Sequence, residues 1–266
     1  MRPKISAVVQ TYNAEKHLDA VLGALKGFDE ILVVDMESTD RTAEIAAAHG
    51  ARFIVKERGE HRITEAYRDF AIHAATYDWV IVVDADEIVP AALRDFLYKR
   101  IEENPEPRGF LIPIKNYFMG KWMRCYYPDY ILRAFNRVGA HWPYIIHARP
   151  TFVGPTEVIP ASRTDLAFIH LANESVHDTF RKMNNYTDRE MERRRKSFSP
   201  WKLLTEPPFR FFKTYVLKGG FREGGPGFIH AVHDGIYRFA ILAKLQEERR
   251  NQLPDKDIDR DQQNAN

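Results

Sequence analysis

At 266 residues, with 44% hydrophobic and 29% charged residues and a formal net charge of +2, the chain can bury a sizeable core and lacks the global field of a nucleic-acid-binding protein. Cys125 is the single cysteine, which excludes an intramolecular disulfide and suits a reducing compartment. No stretch approaches the roughly 18 uninterrupted apolar residues that span a bilayer. The opening MRPKISAVVQTYN has no small-residue cleavage site, so no signal peptide is expected.

In the first half, short β-branched runs alternate with helical patterns. ISAVV (5–9) and EILVVD (30–35) read as strands, as do ARFIV (51–55) and WVIVVD (79–84). They are apolar rather than alternating, as strands covered on both faces are. Between them AEKHLDAVLGALKG and STDRTAEIAAAHG carry helical spacing, the second with Ser38 or Thr39 as N-cap and Gly50 at its close. This repetition predicts an α/β fold with a mostly parallel central sheet and helices on both faces. After residue 105, GFLIPIK and YILRAFNR predict further strands among aromatic loops. From about 175 the chain turns helical and basic, and DKDIDRDQQNAN has the composition of a disordered tail. The expected organisation is 1–175, divided near 105, then a helical extension 176–252 and a tail 253–266.

Ligands in open α/β sheets bind where strands end, because loops and helix N-termini converge there. Asp35 ends the second strand in VVDMESTDRT, and Asp84 ends the fourth in VVDADE. An acid after strand two could hold the ribose of a dinucleotide, but that fold also needs a Gly-rich turn after strand one. Strand one is followed by QTYNAEKH, which has no glycine, so a nicotinamide or flavin enzyme is disfavoured. The D-x-D pair offers other chemistry. Side chains two apart in extended backbone face the same way, so Asp84 and Asp86 could converge on Mg2+ or Mn2+. With Glu87 they place three acids together at the end of a buried strand, where they repel one another unless a cation is present.

VVQTYNAEKHL, ILVVDMESTDRTAEIA, YRDFAI and DWVIVVDADE, in that order, resemble the nucleotide-sugar-binding half of glycosyltransferase family 2, which has the GT-A fold. The likeness continues through NYFMGKWMRCYYPDYILRAFNR to FFKTYVLKGGFREGGPGF, and the chain is similar to the bacterial branch that adds glucose or another hexose to lipopolysaccharide inner core. The resemblance implies that residues 1–105 bind the nucleotide sugar and 106–175 face the acceptor. Tyr12 would stack on uracil, Asp35 would accept the base N–H, and Thr11 and Asn13 would shape the pocket. Arg68 would meet the diphosphate, with a surface ion pair to Glu65 or Asp69 as its rival. Asp84 would hold ribose or metal and Asp86 the metal, with His170 a further ligand. The implied base is a carboxylate. Related sequences commonly have a Glu after the histidine of YIIHARP, where this chain has His147, Ala148 and Arg149. Asp129 is therefore the first candidate, ahead of His147 and Glu157.

Between Arg181 and Arg222 stand twelve Lys or Arg against four Asp or Glu, interleaved with aromatics such as Trp201, Phe209 and Phe212. No RNA-binding signature accompanies them. They suit either an interfacial surface touching anionic lipid, with Arg193, Arg194 and Arg195 among its cations, or an ordinary solvated helix with aromatics in the core. The expectation is a metal-dependent, inverting transferase moving a hexose from a UDP-sugar to a lipopolysaccharide core or other envelope glycan. A non-catalytic nucleotide-sugar-binding protein and a transferase using a polyprenyl-linked acceptor are the alternatives. The expected location is the cytoplasm or the inner face of the cytoplasmic membrane.

Overall fold

The computed structural model describes residues 2–58, 65–106, 108–143, 149–173, 175–194 and 199–251. His147, Ala148, Arg195 and the expected tail lie outside these residues. The chain divides into two compact units, one comprising residues 1–117 and 126–172, the other 118–125 and 173–266.

The first unit carries the sheet. Its opening elements are β1 (Ile5–Thr11), α1 (Glu15–Ala24), β2 (Glu30–Asp35), α2 (Thr42–Ala48), β3 (Arg52–Val55), α3 (Glu65–Ala74) and β4 (Trp79–Asp84). A tight turn leads to β5 (Glu87–Ile88) and α4 (Ala91–Glu103). There follow β6 (Gly109–Phe118), β7 (Lys121–Trp122), which falls in the second unit, β8 (Asp129–Asn136), β9 (Thr156–Val158) and β10 (Phe168–Asn173). The sheet order is β3-β2-β1-β4-β8-β6-β10-β5, with β9 added in parallel to β6. The strands β3, β2, β1 and β4 run parallel, as their continuous apolar runs predict. From β8 onward the ladder turns antiparallel, against both β4 and β6.

Alternate residues of β1 serve opposite faces, so both faces are buried. Ile5, Ala7 and Val9 pack with Leu18 and Leu22 of α1 and Leu93 and Leu97 of α4. On the other face Val8 packs with Val34, Val82 and the α3 residues Ala71 and Ile72. Burying each such side chain is worth about 1.5–3 kcal/mol, so an acid at Val8 or Val82 would disrupt the sheet. The expected cap of α2 is corrected. Asp40, not Ser38 or Thr39, accepts the Thr42 N–H, at 3.0 Å, because Ser38 is committed elsewhere. Gly50 does close the segment after α2, with φ of 64°.

The second unit is helical: α5 (Val176–Arg194), α6 (Trp201–Phe212), a π-helical turn at Lys213–Leu217 and α7 (Gly225–Asn251). Gly235 of α7 lies against the Pro207 carbonyl of α6, where an added Cβ would come within 3.1 Å, so glycine permits this close packing. Among the described residues no helix is long and apolar enough to cross a membrane.

Candidate active site

Parallel register aligns the ends of three strands. Thr11 pairs with Asp35 across β1 and β2, and Gln10 pairs with Asp84 across β1 and β4. The residues expected to hold a nucleoside therefore meet at one edge of the sheet. Thr11 Oγ1 donates to Asp35 Oδ1 at 2.6 Å, and Ser38 donates to the same carboxylate through N–H (2.8 Å) and Oγ (2.6 Å). Asn13, at φ of 48°, donates its N–H to Ser38 Oγ and accepts the Thr39 N–H, both at 2.8 Å. Asp35 is thus buried and already accepts three hydrogen bonds, so it holds two loops together whatever it also does for a ligand. Tyr12 is half exposed, and the Arg58 guanidinium lies 3.6 Å from its ring centroid. One ring face is therefore covered by a cation. A base stacking there would use the other.

The acids after β4 are compensated from within the chain. Arg68 Nη2 donates to Asp84 Oδ1 at 2.8 Å, and Arg133 of β8 donates to Asp84 Oδ2 and, at 3.2 Å, to Glu87. Glu87 in turn accepts the Asp84 N–H at 2.9 Å. Burial by itself would raise the Asp84 carboxyl, but Arg133 and Arg68 reverse the sign and hold it down to about 2. At Glu87 burial wins and pushes the carboxyl above its usual range, with Asp84 adding to the rise against the pull of Arg133. The premise that these acids need a bound cation is therefore corrected: two buried arginines supply the countercharge. Arg68 is also capped by the Trp142 ring, 4.9 Å from the guanidinium carbon. Asp69 accepts the backbone N–H of Trp142 at 2.7 Å, while the side chain of Glu65 lies outside the described residues.

Asp86 is separate from this network. Its Oδ1 lies 3.7 Å from His170 Nε2, and β10 pairs His170 with Glu87. His170 Nδ1 meets Asn116 Oδ1 at 2.8 Å, while Asn116 Nδ2 donates to Asp129 Oδ2 at 3.2 Å. The amide is thereby oriented: Nδ1–H of His170 is the donor to Asn116, which leaves the Nε2 lone pair on the Asp86 side. One chain of contacts thus joins Asp129, Asn116, His170 and Asp86. Asp84, by contrast, does not converge with Asp86 and His170 within 4.8 Å. Residues 85–86 form a turn rather than the extended backbone on which the expected shared D-x-D ligation rests. Glu157 is also corrected as a base candidate, since Arg100 (2.7 Å) and Arg108 (3.1 Å) occupy its two oxygens.

Sequence reasoning missed Arg133, Asn116 and Gln10. An arginine inside an apolar strand, YILRAFN, is itself a signal, because such a charge is buried only with a partner. Gln10 is buried beside Asp84 in register, and among the described residues neither amide atom has a hydrogen-bond partner. That unmet polar group stands at the ligand edge of the sheet.

Acidic strand ends on a half-parallel, half-antiparallel sheet define an α/β enzyme of GT-A type. The chain belongs to glycosyl transferase family 2, which matches residues 6–147, just over half of its length. It is a glycosyltransferase. It is 28% identical over 262 residues to an uncharacterized glycosyltransferase of Rickettsia typhi, covering 92% of this chain and 87% of that one. It is 27% identical over 261 residues to the lipopolysaccharide core biosynthesis glycosyltransferase LpsC of Rhizobium meliloti, covering 93% and 94%. Among solved structures, glucosyl-3-phosphoglycerate synthase from Mycobacterium tuberculosis, in complex with Mg2+ and uridine diphosphate, matches 44% of each chain at 26% identity and a TM-score of 0.32.

Proposed function

We propose that the protein is a metal-dependent, inverting transferase that moves a hexose from a UDP-sugar to a lipopolysaccharide-core or related envelope-glycan acceptor. The observation that carries this reading is the contact chain Asp129, Asn116, His170 and Asp86 beside the Arg68–Asp84–Arg133 network, in a family 2 chain. The acceptor class is supported by the end-to-end likeness to LpsC.

In this reading Thr11, Asn13 and Asp35 form the nucleoside edge, with the uncovered face of Tyr12 against the base. Arg68, pinned by Asp84 and Trp142, turns its charge toward a diphosphate. The donor set beside Asp86 fits a divalent cation: a partly exposed carboxylate and an imidazole nitrogen whose lone pair the Asn116 contact leaves available. Asp86 and His170 would hold Mg2+ or Mn2+, with Asp84 acting from behind through its arginines. When bound, the ion supplies Lewis-acid neutralisation of charge on the departing UDP. Asp129, exposed and oriented by the Asn116 amide, takes the proton of the attacking acceptor hydroxyl on a carboxylate oxygen.

The second unit by itself offers a further surface, on α6. None of its residues is buried; Trp201 is 76% and Leu204 68% exposed, with Phe209 and Phe212 also open. Lys202, Arg210 and Lys213 accompany them. An apolar side flanked by cations suits the inner, anionic leaflet, where a lipid-linked sugar would be met. The test is UDP release across a panel of UDP-hexoses, with and without Mn2+ or Mg2+. Release from one donor that depends on the divalent ion and on a truncated lipopolysaccharide is expected; metal-independent turnover would refute the assignment of Asp86 and His170.

A further inference from the structure

The second unit contains a group of ligand atoms that the transferase reading leaves unused. His230, His233 and Asp234 stand at i, i+3 and i+4 on α7, the spacing that brings side chains onto one helix face. One ligand atom from each lies within 4.8 Å of the other two, and His230 Nδ1 is 3.9 Å from Asp234 Oδ1. None is exposed. His233 is the telling member, because both ring nitrogens are buried and neither meets a partner in good hydrogen-bond geometry, the Thr179 backbone offering the ring at most one weak contact. A neutral imidazole carries one donor and one acceptor, and a buried ring that leaves them poorly met is destabilising unless something else binds it.

The surroundings resemble the support that a bound metal requires. Thr214 Oγ1 donates to Asp234 Oδ2 at 2.6 Å, which orients the carboxylate and leaves Oδ1 toward His230. Phe118 sets its edge against the His230 ring, with centroids 5.2 Å apart, and Phe180 does the same to His233 at 5.5 Å. These rings pack against the imidazoles and hold their orientation. Bonds of about 2.1 Å in a tetrahedral set require ligand atoms roughly 3.4 Å apart, which small rotamer changes achieve from the observed spacing.

We infer that His230, His233 and Asp234 form a site for a borderline divalent transition metal, zinc being the best match, with three protein ligands and an open fourth position. Two imidazoles and one carboxylate favour such an ion over Mg2+, which prefers an all-oxygen shell. The site is independent of the donor pocket, where Asp86 and His170 belong to the first unit.

Full-length protein stripped with a chelator and titrated with Co2+, then with Zn2+ in competition, tests the assignment. Wild type should show the visible bands of four-coordinate Co2+, displaced by one equivalent of Zn2+. Asp86→Asn should retain that equivalent. His233→Gln and Asp234→Asn should each weaken it by at least about tenfold while keeping the helical circular dichroism, since losing a ligand costs no less than losing its supporting hydrogen bond. Should His233→Gln fail to fold, Asp234→Asn decides, because an amide oxygen still accepts the Thr214 bond. Zn2+ affinity unchanged in Asp234→Asn, or no wild-type binding below millimolar Zn2+, would overturn the site.

Discussion

The turn after β4 and the helix α6 treat charge and apolar surface in opposite ways. At the turn, Asp84, Glu87, Arg68 and Arg133 are drawn into the sheet and balance one another, beneath strands whose apolar residues are buried. On α6 Trp201, Leu204, Phe209 and Phe212 stand open, and the helix also carries Lys202 and Arg210. A buried charge network is costly to leave half made, so it fixes geometry; an exposed apolar helix side contributes little to stability, so its value must lie in what it touches. The first arrangement fixes side chains in place, and the second leaves a surface open to contact.

The contrast is broken most severely at Arg133. Arg133→Met should destabilise the protein by about 3–5 kcal/mol in urea unfolding, because Glu87 remains buried without its cation and Asp84 keeps only Arg68. A loss under about 1 kcal/mol would show that Asp84 and Glu87 find water instead. Asp86→Asn should leave stability nearly unchanged, since Asp86 is outside the network, but lower kcat by about a hundred- to a thousandfold, or about 3–4 kcal/mol of barrier. Near-normal Mn2+-dependent turnover in the folded variant would remove Asp86 from the metal site.

Acid sharpens the same comparison. The folded Asp84 carboxyl, at about 2, lies below its ordinary 3.8, so its ionisation stabilises the fold above pH 3.8 and that contribution fades as pH falls toward 2. The shift corresponds to about 2 kcal/mol. Urea unfolding of wild type and Asp84→Asn should therefore differ most above pH 4, and the gap should narrow by about that amount between pH 4 and pH 2. A gap independent of pH would mean that the pair with Arg133 is not formed.

The smallest effect is expected on α6. Trp201→Ser should weaken co-sedimentation with anionic phosphatidylglycerol vesicles by about tenfold, or about 1.4 kcal/mol, while stability changes by less than about 0.5 kcal/mol. Wild-type protein that ignores such vesicles at low salt would assign α6 to a soluble acceptor instead.

Hydropathy and spacing determined the four parallel strands, the helices between them and the acids at their ends, because these depend on local pattern and on the rule that ligands meet strands at their carboxyl ends. Asp35 was legible as the acid that closes the second strand, whereas Thr11 enters only through the family resemblance, since the first apolar run reads as residues 5–9. The i, i+3, i+4 spacing of His230, His233 and Asp234 also stands in the sequence, but their burial and the Thr214 bond, from 20 residues away, do not. Only the tertiary structure decided what neutralises the acids. Arg133 is 49 residues from Asp84, and it arrives because β8 enters antiparallel beside β4. Asn116 is 54 residues from His170, and it joins them only through the sheet order that brings β6 beside β10. Pairing between distant strands is fixed by the packing of the whole core, and the partner of a buried charge is fixed with it.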